Sequence, residues 1–314
     1  MSYSYPYDHT SSAPQQNKLH ALKFYRFHAG KKCWKHIAPG QRRERVLHSD
    51  LSIITWNVDF TSGKAVERIN EALHYLRYSV LQSKTPPPCV ILLQEVHSKV
   101  LPAILENPWI QKHFYLTPID NLKWPYNIYG NITLIERSVS VINTEILWFA
   151  ASNMGRTALV TDVRLAPLEP ELYEGRREVN IRIINTHLES LDNAENRAEQ
   201  LALCVELLKE EPIYAGVIGG DFNAFDEDST EQVKDHGLVD TGETVEKVKG
   251  KASHTWGFHE KKPSKFPSGR FDKIVFTPRG DLSMSPPVIF GQDATTEDGE
   301  WVSDHYGLRT NLAV

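Results

Sequence analysis

Short apolar runs that each close on a polar residue recur along the chain: LSIITW at 51–56 before Asn57, CVILL at 89–93 before Gln94 and Glu95, VNIRIINT at 179–186 before His187, and GVI at 216–218 before two glycines and Asp221. Rich in β-branched residues, they predict buried strands. Further strands are expected at 131–135, 139–142, 145–150, 157–164, 273–276 and 307–312. Between the first two runs, residues 64–82 set Val66, Ile69, Leu73, Leu76, Val80 and Leu81 near one helical face. A second helix is expected over 100–113, interrupted by Pro102 and Pro108. The clearest spans 193–208, with Leu201, Cys204, Leu207 and Leu208 inward and Arg197, Glu199 and Gln200 outward. This order predicts two packed sheets with helices outside.

No repeat and no low-complexity block divides residues 48–314, so one domain is the economical organisation for that stretch. Residues 1–17 lack apolar periodicity and are expected to be a disordered leader. Residues 18–47 hold Phe24, Tyr25, Phe27 and Trp34 around a break at Gly30, a pattern that could form an edge hairpin. Charge separates the same segments. Residues 18–45 carry +8 within a chain of net −5, which leaves −12 on residues 46–314. An acidic body binds a polyanion only through metal, a local basic groove or that basic segment. No apolar run is long enough for a membrane span, and Cys33, Cys89 and Cys204 lie far apart without paired spacing. A reducing nuclear or cytoplasmic setting is the expectation.

Candidate chemistry lies where the strands end. Asn57, Glu95, His187 and Asp221 each follow an apolar run, and Asp304-His305 precedes another. Ends of this kind commonly line one cleft in sheet-based domains. In GGDFNAFDED at 219–228, an acid and the Asn223 amide are held side by side, which suits metal-assisted attack of water on a phosphate. Each residue alone is equally compatible with a turn, a solvated strand end or a satisfied core histidine.

Six motifs then carry a resemblance: TWNVDF at 55–60, LLQEV at 92–96, NTHLES at 185–190, GGDFN at 219–223, RFDKIVF at 270–276 and SDHYGL at 303–308. Together they resemble the endonuclease/exonuclease/phosphatase superfamily over residues 48–314. Arg197 and Gln200-Leu201 after HLES, and His254-Thr255-Trp256, make the chain look most like its tyrosyl-DNA phosphodiesterase type 2 branch. The resemblance implies an α/β four-layer sandwich of two mixed β-sheets flanked by helices. It implies a phosphodiesterase that frees DNA 5′ ends of tyrosine or a topoisomerase peptide, leaving 5′-phosphate. Other superfamily substrates stay open, abasic DNA, RNA tails, phosphoinositides and sphingomyelin among them, as does a non-catalytic binding module.

By the same resemblance Glu95 ligates Mg²⁺, for which Mn²⁺ can substitute, with Asn57 beside it. Asp221 activates water, Asn223 holds water or a phosphate oxygen, and His305, oriented by Asp304, works with His187 on the transition state. Ser190, Trp256 and Arg156 contact substrate, Asp272 supports the site, and a monomer is favoured. The chain departs from the branch at Phe60, where a glycine is usual, at Phe222, and at Ala224-Phe225-Asp226, where a substrate-facing arginine is missing. No ubiquitin-binding helical domain is evident before the catalytic region.

Overall fold

The computed structural model describes residues 16–38, 47–224, 227–243, 250–258 and 267–314. Most of the expected leader, Arg42, Arg43 and Arg45 of the basic segment, and Phe225 and Asp226 lie outside the described residues. Two sheets pack face to face, one of seven strands and one of nine, both mixed in direction. The apolar runs explain the layering. Ile53, Leu92, Ile183 and Val217 point between the sheets, whereas their neighbours Ile54, Leu93, Ile184 and Ile218 point outward beneath helices. Period-two alternation of side chains on strands that are apolar at every position buries both faces and demands helices on each side. The helices at Ala65–Tyr75, Leu101–Glu106 and Pro108–His113 cover the nine-stranded sheet, and Ala194–Leu208 covers the other. This is the four-layer α/β sandwich expected from the motifs.

Local differences have local causes. The helix expected over 100–113 is two, because Asn107 caps the second through Trp109 and Ile110 N–H and Pro108 opens it. The runs at 139–142 and 145–150 are one strand, Ser140–Trp148, with a bulge between Val141 and Asn143. Arg197 and Gln200, expected outward, are buried: Arg197 donates to Leu191 and Glu189 O, and Gln200 to Ala151 O and Glu189. Backbone carbonyls after the His187 strand need donors, and the helix supplies them. Among the described residues no helix is long and apolar enough to cross a membrane.

Phe24–His28 and Cys33–Ile37 pair as a hairpin at the edge of the nine-stranded sheet. Its register sets Arg26 beside Tyr115, Tyr115 beside Ile135, and Ile135 beside Val90. The basic turn at Lys31-Lys32 therefore lies at the end of the sheet opposite Glu95.

Two parallel pairs, Asp50–Asn57 with Cys89–His97 and Val179–His187 with Ala215–Asp221, face each other across the sandwich. An amide bridge fixes their alignment. Gln94 Nε2 donates to Asn185 Oδ1 at 2.8 Å, and Asn185 Nδ2 donates to Ile132 O at 2.9 Å. Asn185→Ala leaves the Gln94 N–H and the Ile132 carbonyl buried without those partners. A loss of about 2–4 kcal/mol in urea unfolding is expected, and a loss below about 0.5 kcal/mol would show that the bridge does not hold the sheets.

Candidate active site

The ends of those four strands meet. Asn57 Nδ2, from one sheet, donates to Asp221 Oδ2, from the other, at 3.0 Å. Gly219 and Gly220 make the approach possible. A Cβ on Gly220, whose φ is +149°, would lie 1.8 Å from Thr186 O, and one on Gly219 would lie 2.7 Å from Leu92 Cδ1. Across the sandwich Glu95 adopts φ +56° where the register with Tyr129–Glu136 shifts between Leu93 and Val96. That irregularity turns the carboxylate out of the strand into the site.

From Glu95 a row of acids and imidazoles crosses the cleft. Glu95 Oε1 lies 3.8 Å from His187 Nδ1, His187 Nε2 lies 3.3 Å from Asp221 Oδ2, Asp221 Oδ2 lies 3.7 Å from His305 Nε2, and His305 Nδ1 lies 2.9 Å from Asp272 Oδ2. Asn57, His187, Asp221, Asn223, Asp272 and His305 are all buried.

Donor chemistry fixes the protons in this row. Arg156 Nη1 lies 2.9 Å from His187 Nδ1. A guanidinium only donates, so Nδ1 is a lone pair and the ring proton sits on Nε2, facing Asp221. His187 is thus neutral, and its pKa is driven well below the ordinary value by burial and by the Arg156 charge. His305 is the opposite case. Burial works against its charge, but Asp272, Asp221 and Asp304 outweigh it and raise the pKa well above the ordinary value. Asp221 is also buried, which disfavours ionisation, yet His187, His305, the Asn223 N–H and the Asn57 amide hold it below the usual carboxylate range. Burial raises Asp272 to about 6, and among the described residues no hydrogen bond reaches its Oδ1.

Among the described residues, two places bear on metal binding. Asp221, Asp272 and His305 present donor atoms within 4.8 Å of one another. His305, its pKa raised by the two carboxylates, hydrogen-bonds Asp272 at 2.9 Å and faces Asp221 at 3.7 Å, and a protonated imidazole has no lone pair for an ion. Glu95 is different. Burial raises its carboxyl to about 7, its Oε2 accepts the Phe60 N–H at 3.2 Å, and Oε1 faces an imidazole lone pair already given to Arg156. Asn57 Oδ1 accepts the Asp59 N–H and keeps a second lone pair. Oxygen donors of this kind, with water completing the shell, suit a hard divalent cation.

No family model matches the chain. It is 26% identical to tyrosyl-DNA phosphodiesterase 2 of Danio rerio over 289 residues, 86% of this chain and 68% of that protein. Among solved structures, D. rerio TDP2 complexed with a single-strand DNA product superposes with a TM-score of 0.65 at 21% identity, covering 85% of this chain and 100% of that one. Truncated TDP2 of Caenorhabditis elegans gives 0.64 at 19%, covering 84% and 98%. An endonuclease/exonuclease/phosphatase of Bacteroides vulgatus gives 0.60 at 15%, covering 84% and 99%. The chain has the endonuclease/exonuclease/phosphatase fold and is similar to tyrosyl-DNA phosphodiesterase 2.

Within that fold the motif residues can be placed one by one. Asn223, at φ +48°, donates its main-chain N–H to Asp221 Oδ1 at 2.8 Å and its amide to Leu188 O at 3.0 Å. Arg156 is buried and bonded to His187 and Tyr129. The role given to Asp304 needs correction: the carboxylate on His305 Nδ1 belongs to Asp272. Asp304 Oδ1 is 3.9 Å from His305 Nε2, and Oδ2 accepts the Trp256 indole N–H at 3.0 Å. The backbone turns Asp304 outward to Trp256, whose ring stacks on Phe271 at 4.9 Å. Among the described residues no hydrogen bond joins the Ser190 hydroxyl to the row; its carbonyl accepts from Asn193.

Two buried residues that sequence reasoning passed over hold the loops. Glu189 accepts from Ser152 Oγ, Asn153 N and Gln200 Nε2, pinning the loop that leads to Arg156. Its place inside NTHLES was the available signal. Arg68 donates to Val58, Asp59, Ser62, Gly63 and Val302 carbonyls, tying the loop after Asn57 to the one before Ser303. A charged residue on an amphipathic helix gave no sign of this.

The raised Glu95 pKa has a signed consequence for stability. With a folded value of about 7 against 4.5 for an ordinary glutamate, the fold favours the protonated form. The stabilisation is full below pH 4.5 and is lost as pH rises through 7. In metal-free buffer Glu95→Gln should therefore match wild type near pH 4.5 and exceed it by up to about 3 kcal/mol at pH 8. Denaturant unfolding across that range checks this; a constant difference would contradict it.

Proposed function

We propose that this chain is a divalent-metal-dependent phosphodiesterase that hydrolyses 5′-phosphotyrosyl linkages on DNA, leaving 5′-phosphate and clearing topoisomerase remnants. The row from Glu95 to Asp272, assembled from both sheets, is the observation that carries the assignment. The likeness to tyrosyl-DNA phosphodiesterase 2, including the relative with a single-strand DNA product, supports the substrate.

The residues divide the work. Glu95, with Asn57 Oδ1, would hold Mg²⁺ or Mn²⁺, which supplies polarisation of a phosphoryl oxygen and offsets its charge. Asp221, ionised and placed mid-row, orients the attacking water and takes its proton as the water oxygen bonds to phosphorus and the bond to the tyrosine oxygen breaks, releasing the phenolate. Asn223 shares that water through its amide oxygen, since its nitrogen is committed to Leu188 O. Charged His305 faces Asp221 and stabilises the phosphorane-like transition state, with Asp272 holding the ring. His187 presents an N–H on the other side, kept in that tautomer by Arg156. Trp256 lies at the Asp304 end, where a base can stack. A monomer in a nuclear or cytoplasmic setting fits this role.

Release of 5′-phosphate from a 5′-phosphotyrosyl oligonucleotide tests the assignment. EDTA should abolish it, and Asp221→Asn and Glu95→Ala should each lower kcat by about 10²–10³-fold or more. Full activity in EDTA would remove the metal mechanism, and strong cleavage of abasic DNA with none of the phosphotyrosyl ester would move the substrate. The pair Asp272→Asn and Asp304→Asn separates the two acids. The first should cost about 10²–10⁴-fold in kcat, while the second should act on KM through Trp256; equal kcat losses would contradict the geometry.

A further inference from the structure

Phe60 stands where the branch that this chain resembles usually has glycine, and its surroundings fix it tightly. Arg68 clamps the loop on both sides of it, donating to the carbonyls of Val58, Asp59, Ser62 and Gly63. Asp59 holds φ +51° and caps Thr61 and Ser62. The Phe60 N–H itself donates to Glu95 Oε2. The ring is thereby placed over Tyr129, with centroids 3.9 Å apart and planes 13° from parallel. Aromatic pairs left to themselves settle offset or edge-on at about 4.5–7 Å. The close overlay is imposed by the clamped backbone rather than chosen by the rings.

What this two-ring wall can bind follows from the groups it leaves unspent. The Tyr129 hydroxyl accepts from Arg156 and donates to Met154 O, and the Arg156 guanidinium is engaged with His187, Tyr129 and Met154 Sδ. Phe60 has no polar atom. The two rings themselves offer a sugar hydroxyl or a second phosphate no free donor, the Tyr129 hydroxyl being already engaged. A planar apolar ring finds aromatic surface beside Glu95, the carboxylate that would hold the metal. The opposite end of the row already has its own stack, Trp256 on Phe271. A diester centred on Asp221 thus meets an aromatic pair at each end.

We propose that Phe60 is a specificity-determining residue: with Tyr129 it forms a wall at the Glu95 end that seats a planar aromatic substituent on the scissile phosphate. The inference rests on the phosphodiesterase assignment, deepening it on the side of the group opposite the nucleoside. A residue that only packed the loop would change stability without discriminating between esters.

Calorimetry on the Asp221→Asn background, which suppresses turnover, provides the test with Mg²⁺ present. The probes are thymidine 5′-(4-nitrophenyl phosphate) and thymidine 5′-(methyl phosphate). With Phe60 intact, the aryl ester should bind about tenfold tighter than the methyl ester, in the range of one stacked ring. Phe60→Leu should erase most of that preference while the methyl ester changes less than about twofold, and Phe60→Tyr should keep it. Phe60→Gly, the residue usual in the branch, gives a second variant should Leu disturb folding, with the same loss expected. Equal weakening of both esters, or no aryl preference with Phe60 present, would overturn the proposal. A Phe60-dependent aryl preference on that background, beside a wild-type protein that hydrolyses neither ester, would sink the enzyme assignment and leave the wall standing. Failure of both esters to bind overturns both.

Discussion

Everything in this site depends on one contact, the hydrogen bond from Asn57 to Asp221 across the sandwich. It joins strand ends from two different sheets, so it exists only if the sheets are held in one alignment. The Gln94–Asn185 bridge below it and the paired glycines before Asp221 serve that requirement. The two sheets cannot slide without leaving buried amides unpaired, a cost larger than most packing adjustments. The core therefore sets the site's geometry, while Glu189 and Arg68 extend the same fixity to the loops.

Once the strand ends are fixed, the proton arrangement follows from which atoms can donate. Arg156 forces a lone pair onto His187 Nδ1, and Asp272 takes an N–H from His305 Nδ1. Two histidines on either side of one aspartate are thereby pushed in opposite directions, His187 towards neutral by Arg156 and burial and His305 towards its cation by Asp272, Asp221 and Asp304. A neutral donor on one side and a cation on the other let Asp221 remain ionised although buried. At the end of the row burial of Glu95 outweighs the Arg156 and His305 charges, and its carboxyl is raised to about 7, where a bound cation would offset the cost of ionisation.

Much of this was legible in the chain because buried strands write themselves as continuous apolar runs, and the residue after each run is necessarily at a sheet end. Asn57, Glu95, His187 and Asp221 were found that way. What strand ends cannot reveal is which acid a histidine meets. Asp304 is adjacent to His305 in sequence, but side chains of neighbouring residues in an extended segment diverge, and Asp272 arrives from another strand. The burial of Arg197 and Gln200 was hidden for a similar reason. Helical periodicity assigns polar residues to solvent unless the carbonyls of a facing loop require them. Arg68 left no trace at all, since its partners are main-chain oxygens, which any sequence supplies.

Imidazole ¹⁵N NMR at pH 7.5 on the metal-free protein tests the central claim most directly. His187 should be neutral with its proton on Nε2 only, and His305 should carry protons on both nitrogens. Finding His187 protonated at Nδ1, or both rings in the same charge state, would contradict the account.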